Sequence, residues 1–486
     1  MKFGIIIITI LSFATFSSAQ NFNDALLLSE PGLYTGARAL GLGNSFIALS
    51  DDYSAVLFNP AGLGLAKKFG LSVTLNTNSF DNTVSFLGNN SNALKTTVNL
   101  NQFGFVFPVP TVKGSLVFAL GYSRVKEFNS LTEFDGFNSG STSMIQFVTG
   151  DVNELVPITN DIRLAYEIID SNTENYLRDT TLINGLLNQS GRIRTEGSIS
   201  NWSFAFANEM AKGLFIGGTF NILSGNYKRD RDYFEDDTQD IYGNDIELVP
   251  GDVSTKDFRT FYFNDIIDWD ISGWDFKLGV LYDWESFFKF GATVKFPSFY
   301  TIKESYYVNV SSEFGNGAGF ELAEPIIDLV EYEIKTPFEY SAGASYKVSI
   351  LTLSGEAKLI DYTQMKFTEG LGTQYRIERN KEIADFFRIA LTYNGGVEVK
   401  IPHFPIWGRI GAMYIQSPYA EDPADFDKKY LTAGIGLMLG NVFKIDVAYA
   451  YGWWKNFSDN YGSDVSRTLH DVNVQNVVLS ISTSLN

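Results

Sequence analysis

The chain contains no cysteine and only two histidines, His403 and His470, in 486 residues. Without thiols there can be no disulfide staples and no thiolate metal sites. Positive charge is also scarce. With 37 Lys and Arg against 56 Asp and Glu, the formal charge of −19 argues against nucleic acid or polyanionic surfaces as partners. No G-x-S-x-G elbow is present, so nothing suggests a hydrolase nucleophile. Past the N-terminus, no stretch reaches the roughly 18 unbroken apolar residues that a spanning helix needs. If the mature chain crosses a membrane, it does so as a β-barrel.

Lys2 precedes an apolar run, Phe3 to Phe16, that ends in Ser17-Ser18-Ala19. Small residues at these positions predict a secretory signal over 1–19 with cleavage after Ala19. No cysteine follows, which excludes a lipoprotein anchor. Aromatics make up 15% of the chain, with 41 Phe and 25 Tyr, and there are 43 Gly. Both trends suit a barrel with aromatic girdles, and no fixed period supports a solenoid.

Strict alternation recurs along the chain. Leu116, Phe118, Leu120 and Tyr122 alternate with small residues, as do Trp202, Phe204 and Phe206. Phe288 to Phe296, Leu431 to Leu439 and Phe443 to Tyr451 repeat the pattern, apolar on one face and small or polar on the other. Strands are expected near 68–79, 96–107, 114–126, 196–210, 213–227, 259–282, 286–300, 332–347, 350–364, 384–400, 406–417, 428–439, 442–454 and 471–485. That is about 14, an even number, and the connections alternate short and long as periplasmic turns and external loops do. The fold class is therefore all-β, a transmembrane antiparallel barrel with residues 68–486 as its wall. Its long external loops fall at 127–195, 228–258 and 301–331. Leu182, Ile183, Leu186 and Leu187 have helical spacing, so 127–195 reads as partly helical, and a hairpin hidden there would raise the count to about sixteen.

A wide barrel leaves an aqueous channel unless it is plugged. Residues 20–67 have the turn-rich composition of an N-terminal hatch inside the lumen, with Gly36, Gly41, Gly43 and the motif Asn59-Pro60-Ala61-Gly62. Asp51 and Asp52 either pair with inward bases such as Lys289, Lys295 or Arg409, or form a solvated turn. The lumen face mixes signs at Asp275, Lys277, Glu356, Lys358, Arg388, Glu398, Arg409, Lys444 and Asp446. That mixture favours a structural ion-pair network over a single-sign conduction ring.

Residues 318–330 place Phe320, Ala323, Ile326, Ile327 and Val330 near one face of an expected short helix. With Tyr233 and Phe234 of the 228–258 loop, these are the candidate ligand groove; the alternative is loops packing on each other. Asp268-Trp269-Asp270 and Asp230 to Asp237 lack the spacing of a calcium loop. They read as solvated loop faces or as sites for cation-bridged lipopolysaccharide. Trp453 and Trp454 close a strand where an interface belt belongs. His403 falls in a short turn and His470 in an external loop, at opposite ends of the barrel, so no catalytic residue, metal ligand or cofactor is assigned.

Two sets of motifs together resemble the long-chain fatty-acid transporter family of outer-membrane barrels, the FadL/TodX group. One is the segment 36–62, ending in its NPA-type signature Asn59-Pro60-Ala61-Gly62. The other is C-terminal: FFRIALTYNGGVEV at 386–399, IWGRIGAMYIQSPY at 406–419, TAGIGLMLG at 432–440 and FKIDVAYAYG at 443–452. The resemblance implies location in a bacterial outer membrane and passive uptake of a hydrophobic molecule such as a long-chain fatty acid or hydrocarbon. It further implies capture at the third and fourth external loops, passage to a pocket against the hatch, and lateral release through the wall. Gly104 and Pro108 interrupt the second strand and its turn and are the candidate lateral gate. The alternative is an outer-membrane scaffold subunit of a bacterial protein-secretion system that docks exported cargo.

Overall fold

The structure, a computed structural model, describes residues 20–33, 36–150, 158–440, 442–462 and 464–485. The expected export signal, residues 1–19 with cleavage after Ala19, lies outside the described residues.

Alternation along the chain becomes a two-faced wall. Phe118, Trp202, Phe290, Leu431 and Tyr449 stand exposed on the outside, while Ser203, Thr432, Ala448 and Ala450 between them are buried on the inside. Fourteen wall strands close into one antiparallel barrel. They are β1 (Phe69–Phe86), β2 (Asn89–Val109), β3 (Leu116–Glu127, continued by Ser130–Phe137), β4 (Asn188–Ala211) and β5 (Leu214–Asp236). Next come β6 (Phe258–Trp284), β7 (Phe288–Lys295, continued by Phe299–Phe314), β8 (Ile326–Lys335, continued by Glu339–Val348) and β9 (Leu351–Asp361, continued by Lys366–Phe367). The last five are β10 (Ile389–Lys400), β11 (Ile406–Ile415), β12 (Lys428–Leu439), β13 (Phe443–Asp459) and β14 (Arg467–Leu485). Closure comes from β1, which pairs with β2 on one edge and with β14 on the other. Pro297 and Pro337 mark the breaks in β7 and β8, since proline cannot donate to a ladder. The breaks lie side by side and are tied by Ser298 N to Thr336 Oγ1 at 2.8 Å and Thr336 N to Ser298 O at 3.0 Å.

The strands extend well beyond what a bilayer needs. β6 has 27 residues, whereas roughly 9–11 suffice to cross. The extra length corrects several expected loops. Residues 80–95 form the end of a β1–β2 hairpin, turned at Leu87-Gly88 with φ of 48° and 88°, the sign a two-residue hairpin turn requires. The loop expected at 301–331 shrinks to the link between Phe314 and Ile326, bearing the short strand Gly319–Glu321. Asp268-Trp269-Asp270 lies inside β6, with both Asp exposed and Trp269 buried inward. Above the apolar belt, outward positions such as Asp268, Asp270 and Lys303 are polar, so an apolar-outward criterion stops too early.

Region 127–195 also differs from expectation. It holds helices Met144–Gly150 and Ile158–Asp161 and a hairpin of Tyr166–Ile169 with Tyr176–Thr180 that forms its own two-stranded sheet. That hairpin stays outside the wall, so the count remains fourteen. Leu182, Ile183, Leu186 and Leu187 are not helical; Ile183 and Leu187 are buried in an outer aromatic cluster with Tyr233, Phe258 and Phe261. A helix, Thr373–Phe386, precedes β10 and occupies the start of the strand expected at 384–400.

Candidate functional site

The N-terminal segment packs against the inner face of this wall. α1 (Phe22–Ser29) starts with a capping box in which Asn21 N donates to Asp24 Oδ2 at 2.8 Å. Its Ala25, Leu26 and Leu28 enter an inward-facing cluster with Tyr227, Trp269, Tyr300, Tyr332 and Phe367. α2 (Ala37–Gly41) lies on β12 to β14. The motif residue Asn59 is fully buried and bonds in three directions. Its Oδ1 accepts from Ala61 N at 3.1 Å, and its Nδ2 donates at 3.0 Å to Ile47 O and to Val280 O of β6. Asn59-Pro60-Ala61-Gly62 thus starts a 3-10 turn, Pro60–Leu65, and ties it to the wall. The wall is shaved to receive it: a Cβ on Gly217 would fall 2.6 Å from Ala61 N, and one on Gly279 would collide with Asn59 Oδ1. Gly104 serves in the same way, because a Cβ there would collide with the ring of Tyr53.

Ion pairs bolt this segment to one side of the barrel. Arg38 of α2 reaches Glu398 of β10 at 3.2 Å, and Arg409 of β11 meets the same carboxylate at 2.7 Å and Asp446 of β13 at 2.6 Å. Lys444 adds a contact to Asp446 at 3.3 Å. Of the two alternatives for Asp51, a wall base or a solvated turn, neither holds: it pairs with Arg38 of the plug itself, while Lys289 meets Asp283 at 3.5 Å. Glu356 of β9 accepts from Phe46 N and Ile47 N at 3.0 and 3.1 Å. The mixed-sign lumen is a structural network at these positions. Arg388 sits apart from it and donates to Ser417 O at 3.0 Å.

Between plug and wall lies a cavity of about 530 Å³. Leu28, Leu223, Tyr227 and Met413 give it apolar walls, and several ammonium groups reach its surface. Lys295 and Lys358 pair with Glu339 at 2.9 and 3.5 Å, and Lys428 pairs with Glu30 at 3.0 Å. Lys277 donates to Leu57 O, and Lys126 to Leu27 O and Glu30 O, all backbone carbonyls of the plug. Trp454 also lines the cavity, its ring 6.2 Å from that of Tyr430, so it faces inward rather than into an interface belt. Its neighbour Trp453 stacks on Tyr451 at 5.8 Å. Alternation from Tyr449 and Tyr451 already separates these two tryptophans.

The cavity reaches a break in the wall. β2 and β3 are laddered only from Gln102↔Ser123 to Val109↔Leu116. Beyond that, among the described residues, Asn89–Asn101 have no ladder partner on the β3 side, although they stay paired with β1 apart from a bulge near Asn101. Val125 to Ser130 of β3 and Thr195 of β4 line the cavity at this seam. The gate expected at Gly104 and Pro108 is corrected by the same ladder. Gly104 pairs with Ser72 and Gly121, and Pro108 with Val117, so this part of the wall is closed. Pro108 lies next to the turn, at the end of its strand, where proline is tolerated.

The proposed outer groove residues do not share a helix face. Ile326 and Val330 belong to β8 and turn inward, Ile327 is 61% exposed on the other face, and Ala323 is exposed in the link before the strand. Pro325 bars a helix there. Phe320 packs edge-on against Phe314 at 5.9 Å, beside the outer cluster that Ile326 also touches. Tyr233 is fully buried in that cluster, while Phe234 stacks on Tyr262 at 4.8 Å. His470 lies within β14 rather than in a loop, bonded to Ser458 Oγ at 2.9 Å and to Asn82 at 3.1 Å.

Fold and plug together define the class: a closed fourteen-stranded antiparallel barrel that carries its own N-terminal hatch. No protein-family model and no curated protein matches the sequence. Among solved structures, the barrel is similar to a FadL homologue of Pseudomonas aeruginosa. That match has a TM-score of 0.61 and 13% identity, and covers 94% of this chain and 100% of that one. It is also similar to the toluene transporter TodX of Pseudomonas putida, with a TM-score of 0.53, 13% identity and coverage of 93% and 99%. The toluene transporter TbuX of Ralstonia pickettii gives 0.50, 16%, 93% and 99%. The chain shares their fold over nearly its whole length.

Proposed function

We propose that this chain is an outer-membrane transporter for passive uptake of small hydrophobic molecules, delivered past the hatch and released sideways into the bilayer. The observation that carries the reading is the interior cavity, which ends where the β2–β3 ladder stops. A lipophile held there stays out of water, at about 0.8 kcal/mol for each buried CH₂, and leaves through the seam without crossing the polar lumen. Phe320, partly exposed at the edge of the outer aromatic cluster, is where a ligand meets the protein first. A long-chain acid suits the lining, with Lys126 and Lys277 available to a carboxylate head and Leu223 and Tyr227 to its chain. Fold neighbours that bear the name of toluene transporters support a lipophilic cargo in general.

A secretion scaffold needs a broad apolar patch on its outer loops and no enclosed pocket. Here Tyr233, Phe258 and Phe261 bury one another instead, which favours transport. The test is uptake of a long-chain acid and of toluene by vesicles containing the purified protein, with mass spectrometry of co-extracted lipids. Leu223→Asp, which places a charge in the cavity, is the control. Uptake above empty vesicles that Leu223→Asp abolishes is expected. Uptake no faster than in empty vesicles, with an exported protein bound instead of a lipophile, overturns the reading in favour of the scaffold.

A further inference from the structure

Three consecutive residues of β3, Val125, Lys126 and Glu127, touch the plug, the cavity and the seam. Between Arg124 and Lys126 the strand slips register against β4, leaving Val125 as an inserted residue. Bulges of this kind re-aim side chains and end pairing, and the β2–β3 ladder ends two residues earlier, at Ser123. The bulge presses on the plug, since a Cβ on Gly32 would collide with Val125 O. Lys126 then reaches inward to Leu27 O and, at 2.8 Å, to Glu30 O. Glu127 turns to the seam. Its Oε1 accepts from Thr97 Oγ1 at 2.6 Å and Asn99 Nδ2 at 3.0 Å, both on the unladdered part of β2, and from Asn129 Nδ2. A second strap crosses nearby, with Lys95 Nζ donating to Thr195 O of β4 at 2.8 Å.

We propose that Glu127 is the latch of the β2–β3 seam, and that Val125 and Lys126 couple it to the plug segment Leu27–Gly32. The proposal rests on the lateral-release reading and names the residues that regulate it. A carboxylate shared by several donors is held more strongly than neutral contacts, and here it replaces the missing ladder bonds between two strands. Withdrawal of the plug removes both acceptors of Lys126 and the contact that fixes the bulge. Glu127 then loses its aim, and Thr97 and Asn99 are freed. One movement both vacates the pocket and unfastens the wall.

The absence of cysteine makes a single introduced thiol unambiguous. Ser130→Cys places one at the cavity side of the seam, where Ser130 bonds Thr195 at 2.6 Å. Its reaction with a lipid-soluble maleimide is timed in vesicles containing the full barrel, with folding checked by compact gel mobility. Val98→Cys, at a position 71% exposed on the outer face, gives the rate of an open thiol. Slow labelling of Ser130→Cys is expected, accelerated roughly tenfold by Glu127→Ala, the factor for losing one hydrogen bond to a charged group. Glu127→Gln, which keeps the shape, serves if the alanine variant does not fold. Gly32→Ala, ninety-odd positions away, should accelerate the same thiol. Labelling of Ser130→Cys as fast as Val98→Cys, or no change in either Glu127 variant, overturns the latch. Acceleration by Glu127→Ala but none by Gly32→Ala or Lys126→Met overturns the coupling. No ligand takes part, so failed uptake and a failed latch are separate results.

Discussion

Two stretches of this barrel wall are built to different standards. From β13 to β14 the ladder runs unbroken from Phe443↔Thr483 to Asp459↔Arg467, and β14 continues onto β1 from Phe69↔Leu485 to Ser85↔Leu469. Between β2 and β3 it covers only Gln102 to Val109, and side chains bridge the rest. The plug follows the same division. It is fastened to the continuous side through Arg38, Glu398 and Arg409, and it touches the discontinuous side through backbone carbonyls and a bulge. Buried ion pairs hold one arrangement, whereas backbone acceptors for a lysine are easily exchanged for water. In the proposed release, the ion-paired side is the hinge and the carbonyl-contacted side is the one that lets go.

Removing the bolt should have the largest effect. Arg409 is fully buried between Glu398 and Asp446, and Arg409→Met leaves both carboxylates short of a partner. Arg38 and Lys444 remain, so the expected loss is about 3 kcal/mol, the low end for breaking a buried pair. It would be read as a lower urea midpoint in lipid vesicles; an unchanged midpoint would mean the network is ornamental. Asn59→Ala strands Ile47 O, Val280 O and Ala61 N, for about 2 kcal/mol. Its readout is current across a planar bilayer. A seated plug blocks ions, so frequent openings are expected in the variant and few in the parent chain.

Amide exchange compares the two sides directly. Residues 89–101 are paired along one edge and the interior of β14 along both. Exchange in the β2 stretch should be roughly tenfold faster, corresponding to about one net hydrogen bond. Equal protection on both sides would erase the contrast.

Much of the continuous side can be read from the sequence, because β11 to β14 keep apolar residues outward at alternate positions over the belt, as at Ile410, Leu431, Val447 and Ile481, and the turn between β12 and β13 is short. The hatch is legible through Asn59-Pro60 and its glycines, and the charged lumen through Glu398, Arg409 and Asp446, which fall on the inward phase. The seam is not. It depends on Val125 being one residue too many against β4, and a bulge leaves no mark in composition. Gly104 and Pro108 look like flaws in a strand, yet Gly104 is small to admit Tyr53 and Pro108 sits at a strand end. The strand extensions above the bilayer are hidden for another reason: once both faces meet water or loops, as at Asp268 and Asp270, the apolar rule has nothing to act on.

The smallest expected effect concerns the outer cluster, beyond the membrane. Glu235 lies near the end of β5, well past the outward-facing Ile216, Phe220 and Ile222, and is fully buried. It accepts from Ser143 Oγ, Met144 N at 2.7 Å, Gln189 Nε2 at 2.9 Å and Tyr233 OH at 3.0 Å. Burial pushes its carboxyl above the usual range, and these donors oppose the shift only in part. In acid, folded and unfolded chains both hold the proton and no penalty arises. As pH rises through the ordinary carboxylate range the unfolded chain ionises first, so the cluster loses stability until the folded group has ionised too. Glu235→Gln removes that slope. The Ser143 hydroxyl can rotate to accept from the new amide, so the change at neutral pH should stay within about 1 kcal/mol. Limited proteolysis of the outer loops in intact vesicles, followed from acid to neutral pH, checks it. Protection should decline with pH in the parent chain and stay level in the variant, and parallel declines would show that Glu235 does not set the slope.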